Sequence, residues 1–205
     1  DAAQRLQRYF PAANRRFSPH LDIAPHTALP QPRSRRLSID AHLRILVIGA
    51  VNEVKGADVL EATALQAART SAPLEFHLVG YAHRLLKTQP HASLTVHGAY
   101  ADDDLPRLLE RLRPDVVWFP ARWPETYSYT LSACLLAGVP IMAPNLGAFP
   151  ERLSQRRWTW IKPWDTTATA WMDIFENLRR QHFVTGQDPP VTAQFTPASP
   201  DANLA

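Results

Sequence analysis

The eight residues LRILVIGA (43–50) decide the fold. They form a short apolar run ending in Gly49, as a strand buried within a parallel sheet does. Reading outward, the same unit recurs. Lys55-Gly56 opens a helical pattern with Leu60, Ala64, Ala67 and Ala68 on one face. LEFHLVGY (74–81) reads as a second strand and LTVHGAY (94–100) as a third. Asp102-Asp103-Asp104 supplies caps for a helix striped by Leu105, Leu108, Leu109 and Leu112. DVVWFP (115–120) is a strand, 126–137 a helix, PIMAPN (140–145) a strand and WTWIKP (158–163) the last strand. A final helix carries Trp171, Ile174, Phe175 and Leu178 at i, i+3, i+4, i+7.

Short apolar strands alternating with amphipathic helices predict an α/β fold: a doubly wound, Rossmann-like parallel sheet of about six strands with helices on both faces. Ligands of such sheets bind beyond the carboxyl ends of the strands. That edge gathers Gly49–Lys55, Gly80–Tyr81, Gly98–Tyr100 and Pro120–Tyr129. The repeating unit occupies residues 43–182. A helical segment from Ala2 to Tyr9 and the extended RRFSPH (15–20) stand outside it, as a remnant of a preceding unit joined by the Pro/Arg-rich linker 24–42. Residues 183–205 read as an irregular tail.

Composition narrows the function classes. With 20% charged and 45% apolar residues the chain reads as an ordinary globule. The net charge of +3 is carried largely by arginines of the first 44 residues. Arg35-Arg36 is too short a tract, and no aromatic-rich module follows it, so nucleic acid is not the expected partner. The lone Cys134 excludes an internal disulfide and fits a reducing compartment. No apolar run reaches the ~18–20 residues that span a bilayer, and no signal peptide is evident. The sequence starts at Asp rather than Met, so a piece of a longer protein is expected.

Two residues carry chemistry at the expected edge. Glu125 follows Pro124 at a strand-to-helix turn, where a carboxylate is favoured by the helix dipole alone by ~0.3–1 kcal/mol. The same place lets it accept hydrogen bonds from sugar hydroxyls while the amides of Thr126, Tyr127, Ser128 and Tyr129 hold a diphosphate. Lys55, before Gly56, is either a solvated lysine or a point charge for a phosphate oxygen, with Gly56 allowing close backbone approach. Neither G-x-G-x-x-G nor G-x-x-x-x-G-K-[ST] occurs, so the usual dinucleotide fold and the P-loop lack support. The three consecutive aspartates contain the letters of a D-x-D metal site but read better as caps. No histidine pair has metal-ligand spacing, and Ser128 lacks a nucleophile-elbow context. Trp118, Trp158, Trp160 and Trp171 are expected to pack in the core or at its edge rather than to serve as ligand platforms. A phosphoacceptor receiver domain would need an aspartate at a strand's carboxyl end, whereas Asp115 stands at a strand's start.

Taken together, GAVNEVKGADVL, EFHLVGY, LTVHGAY and FPARWPETYSYTLSACLLAGVPIMAPNLGAFPERL resemble the C-terminal, nucleotide-sugar-binding domain of group 1 (family 4) retaining glycosyltransferases of GT-B fold. The resemblance covers about residues 43–180 and is most specific over 120–152. It implies that Glu125 contacts the donor sugar. The pattern's end, Ala-x-x-x-Gly-x-Pro, is met at Gly138 and Pro140. Its second glutamate, which in relatives holds the ribose diol, falls on Ala133. Lys55 matches the lysine of a basic pair aimed at the diphosphate, and the arginine of that pair falls on Ala50. Losing the ribose acceptor is worth ~1.5–3 kcal/mol.

What the resemblance implies is glycosyl transfer with retention from a nucleotide-diphospho sugar, through an oxocarbenium-like state. Lys55 and the 126–129 amides would stabilise the leaving diphosphate. Gly49, Gly56, Gly80, Tyr81, Gly98 and Tyr100 would line the donor site, with the two tyrosines flanking the base. No cofactor and no metal is expected. The acceptor would be a glycan or a lipid-linked, lipopolysaccharide-type glycan bound against an N-terminal acceptor domain. The parent would be cytoplasmic, with a place at the inner membrane face, and the isolated stretch would be inactive for lack of that domain. The alternative is a degenerate, non-catalytic sugar-nucleotide-binding or structural domain, which would explain both alanines.

Overall fold

A computed structural model describes residues 9–11, 22–24, 27–32, 34–189 and 191–196. Apart from Tyr9, the segments expected over 2–9 and 15–20 lie outside these residues, as does the tail from 197 onward. The strands are β1 (Leu43–Val51), β2 (Leu74–Ala82), β3 (Leu94–Val96), β4 (Val116–Trp118), β5 (Ile141–Pro144) and β6 (Thr159–Lys162). The helices are α1 (Ala57–Thr70), α2 (Leu105–Leu112), α3 (Tyr129–Leu136), α4 (Phe149–Arg152) and α5 (Ala168–Leu178). A 3-10 turn (Asp102–Asp104) leads into α2, and a π-helical turn (Arg179–Val184) prolongs α5.

All six strands are parallel, in the order β3-β2-β1-β4-β5-β6. The unbroken apolar run of β1 follows from its central place in that sheet. Its Ile45 and Val47 enter one core with Leu60 of α1 and Trp171 and Phe175 of α5. Its Leu46 and Ile48 enter another with Leu109 of α2, Leu131 and Leu135 of α3 and Phe149 of α4. Both faces of the strand are covered, so no polar alternation survives. Trp118 anchors the first core, its ring 5.1 Å from those of Trp171 and Phe175 and 6.1 Å from Phe76. Trp158 and Trp160 complete that core, as the sequence suggests.

Several local expectations change. β3 stops at Val96, after which the His97 N–H still donates to the Leu78 carbonyl of β2 at 2.9 Å and Gly98 meets Gly80 in an antiparallel bridge. The three aspartates do not cap α2 through their side chains. Asp104 is already helical (φ −85°, ψ −14°), whereas a capping side chain needs an extended backbone to reach the following amides. The helix expected from residue 126 starts three residues later, at Tyr129. On the buried face of α1, Thr63 joins Leu60, Ala64 and Ala67 while Ala68 stays half-buried. Sequence reading named no helix at 149–152.

The stretch before β1 is stitched to the sheet. Leu37 is buried in the first core, and its N–H donates to the carbonyl of Phe183 at 2.9 Å. Arg35 grips Asp115 with two hydrogen bonds of 2.6 and 3.0 Å, and the Arg44 N–H adds a third at 2.8 Å. Asp115 thus secures the linker at the amino end of β4. Phe183, the first residue of the expected tail, is fully buried.

Candidate functional site

The strand order reverses direction between β1 and β4, and the crevice beyond their carboxyl ends is where a doubly wound sheet accepts a ligand. Two loops meet there. In the loop after β1, Asn52 Oδ1 accepts from the Lys55 N–H at 3.0 Å, and the Arg122 N–H donates to the Val54 carbonyl at 2.8 Å. Gly56 has φ +81°, and a Cβ on it would run into the Pro120 carbonyl. Only glycine lets the two loops lie this close.

That contact brings Lys55 to Glu125. Nζ stands 3.6 Å from Oε1, with the lysine side chain 51% and the glutamate side chain 25% exposed. An ion pair this exposed is worth roughly 0–1 kcal/mol, so its significance is one of position. It sets a cation and a carboxylate side by side at the mouth of the crevice.

The backbone beneath Glu125 is tightly held. Its carbonyl accepts from the Ala148 N–H at 2.8 Å, and a Cβ on Gly147 would collide with it. Three residues on, Ser128 takes φ +74°, a conformation rarely adopted by a residue with a side chain. Its hydroxyl accepts from the Leu131 N–H at 3.4 Å and so caps α3. The helix starts at Tyr129, so of the four amides expected to face a diphosphate those of Thr126, Tyr127 and Ser128 precede it and that of Tyr129 lies in its first turn.

Arg152, from α4, holds the strained turn in place. Nη1 donates to the carbonyls of Tyr127 (2.8 Å) and Ser128 (2.9 Å), and Nη2 donates to Ser132 Oγ (2.7 Å). Its guanidinium lies 4.2 Å from the centre of the Tyr127 ring. Ser132 in turn donates to Asp22 Oδ1 at 2.9 Å, and the Tyr127 hydroxyl donates to the same carboxylate. Burial opposes the charge on Asp22, but hydrogen bonds from Tyr127, Ser132 and its own N–H, with the charge of Arg152, hold its carboxyl below the usual range. Sequence reading missed Asp22, Ser132 and Arg152. They come from three separate segments, and no local pattern announces such a network.

The other expected residues scatter along the same edge. Gly49 and Gly80 are register partners on β1 and β2, and a Cβ on Gly49 would sit 3.9 Å from Thr130 Cγ2. Gly98 and Tyr100 line a cleft of about 410 Å³ between the end of β3 and α2, with His97, Arg107 and Arg111. Burial raises the Tyr100 hydroxyl above its ordinary pKa. Tyr81 lines a different cleft, with Leu85 and Val96, so the two tyrosines do not face each other across one pocket. Tyr129 is 60% exposed, its ring edge-on to Tyr127 at 5.5 Å. Ala133 is half-buried against the second core, and Ala50 is exposed. Among the described residues, no three His, Cys, Asp or Glu side chains gather as metal ligands.

The fold is one already seen in glycosyltransferases. One match is the C-terminal domain of a group 1 family glycosyl transferase (LpcC) from Francisella tularensis. The TM-score is 0.53 at 14% identity, over 73% of this chain and 85% of that one. Anabaena HepE in complex with UDP and glucose matches with a TM-score of 0.51 at 16% identity, over 67% of this chain and 38% of that one. The pneumococcal O-GlcNAc transferase GtfA, in complex with UDP and GlcNAc, gives 0.51 at 13% identity over 90% of this chain and 38% of that one. Against HepE the chain spans 38–41% of the partner's length. At these identities the likeness is one of fold. No family model and no curated protein sequence matches the chain.

Proposed function

We propose that this chain is the donor-binding domain of a retaining glycosyltransferase that takes its sugar from a nucleotide-diphospho donor. The observation that carries the reading is the Lys55–Glu125 pair at the point where the strand order reverses. Its two halves suit the two halves of such a donor. Lys55 is exposed enough to swing from Glu125 to a phosphate oxygen at little cost. Glu125, released from its partner, accepts hydrogen bonds from the sugar hydroxyls. The start of α3 at Tyr129 adds the positive end of the helix dipole where charge grows on the leaving diphosphate.

In this reading the acceptor is a glycan or glycolipid, held against a preceding domain of the same protein, and transfer needs neither a cofactor nor a metal. The protein works in the cytoplasm, the acceptor drawing it to the inner face of the membrane. Among the described residues no helix is long and apolar enough to cross a membrane. Ala133 favours a second reading, a sugar-nucleotide-binding or structural domain without activity, because its methyl group offers nothing to a ribose diol. The two readings part on affinity. Lys55→Ala is expected to weaken nucleoside diphosphate binding about tenfold or more while nucleoside binding is nearly unchanged. Equal losses for both, measured calorimetrically, would remove Lys55 from the phosphate site.

A further inference from the structure

The loop that carries Glu125 is not self-supporting. Ser128 holds φ +74°, and its capping bond to Leu131 is a long 3.4 Å. A conformation of this kind is strained and persists only when its surroundings over-determine it. Those surroundings come from two directions. From α4 and the turn before it come the Ala148 N–H on Glu125, glycine at 147, and the fork of Arg152 on the carbonyls of Tyr127 and Ser128. From the segment before the sheet comes Asp22, which accepts from the Tyr127 and Ser132 hydroxyls. Ser132 Oγ joins the two, receiving from Arg152 and donating to Asp22.

We infer that Arg152 and Asp22 are positioning residues for Glu125, forming a clamp through which the segment preceding the sheet fixes the donor-sugar contact. The inference rests on the reading of Glu125 as that contact. The guanidinium suits the task because its planar fork satisfies two carbonyls and a hydroxyl at once while its face covers an aromatic ring. A lysine ammonium, a compact point of charge without the spread fork or the flat face, would span these acceptors less completely. The carboxylate of Asp22 is the only acceptor in the relay that carries charge, so Asp22→Asn keeps the shape and removes the attraction. Support of this kind sets how closely a binding group is held to its productive geometry. Because Asp22 lies 21 residues before β1, the conformation of the Glu125 loop depends on chain that the sheet itself does not include.

Amide hydrogen exchange tests this without a ligand. The N–H groups of Ala148, Leu131 and Ser132 report the loop, and those of β1 report the core. In Arg152→Ala and Asp22→Asn the three loop amides are expected to exchange about tenfold faster or more, with β1 unchanged and Arg152→Lys intermediate. Unchanged loop exchange in both variants overturns the clamp. Should Arg152→Ala fail to fold, Asp22→Asn and Arg152→Lys carry the comparison. A second arm titrates UDP-glucose and UDP. Loss of the sugar nucleotide's affinity by about tenfold, with UDP held constant, assigns the clamp to Glu125. Faster exchange with both affinities unchanged overturns the positioning role. If the parent protein binds neither ligand, it is the donor reading that fails, and the exchange arm still decides whether the clamp exists.

Discussion

Lys55 and Glu125 lie 70 positions apart, and their side chains stand 3.6 Å from each other. What joins them is the absence of a side chain at Gly56, which lets the β1–α1 loop lie on Pro120. Ala133 is the complementary case, a place on α3 where an acceptor is missing. Ala133→Glu is expected to tighten nucleoside diphosphate binding by ~1.5–3 kcal/mol through the ribose diol. No change on calorimetric titration would mean that α3 does not turn this position toward the ligand. Lys55, Glu125 and the strand-end glycines are legible in the sequence because each stands at a fixed offset from a strand whose apolar run is plain. Arg152, Ser132 and Asp22 are not. Each looks like an ordinary surface residue until the fold brings three segments together.

At the scale of elements, periodicity located the six strands and four of the five α-helices of the described residues, while their ends moved. The ends depend on single backbone conformations, such as φ +74° at Ser128 or the already helical Asp104, which residue type does not dictate. α4 is four residues long and too short to show a period. One polar cluster ties β1 and β2 to His97, the residue that follows β3. Arg44 donates to Glu75 at 2.6 Å, His77 stands 3.8 Å from the same carboxylate, and His77 pairs with His97 at 3.0 Å. His77 and then Arg44 hold the Glu75 carboxyl well down, from an ordinary 4.5 to about 2, against the opposing effect of burial. A depressed carboxyl contributes stability that is complete above its unfolded value and is lost as pH falls through its folded one. Stability should therefore fall between pH 4.5 and about 2, and Glu75→Gln should flatten that part of the profile in urea unfolding. An unaltered profile in the variant would assign the acid sensitivity elsewhere.

For the whole molecule, the parallel, doubly wound sheet is expected from the alternation of strand and helix, whereas its order 3-2-1-4-5-6, with the reversal between β1 and β4, comes from the structure. The attachment of the preceding segment was not foreseeable, since residues 24–42 look like a linker rich in proline and arginine. In the structure Leu37 belongs to the core, and Arg35 neutralises a carboxylate that is almost wholly buried. Arg35→Ala is expected to cost about 1.5–3 kcal/mol in urea unfolding, because among the described residues the Asp115 carboxylate then keeps only the Arg44 N–H. A loss under ~0.5 kcal/mol would return the segment to the status of a linker. The most direct test of the central claim is calorimetric titration of the chain with UDP, GDP, dTDP and ADP, in parallel with Lys55→Ala. Preferential binding of one diphosphate, lost in the variant, is the result expected of a donor-binding domain. A folded chain that binds none of the four, or binds them equally with and without Lys55, would contradict it.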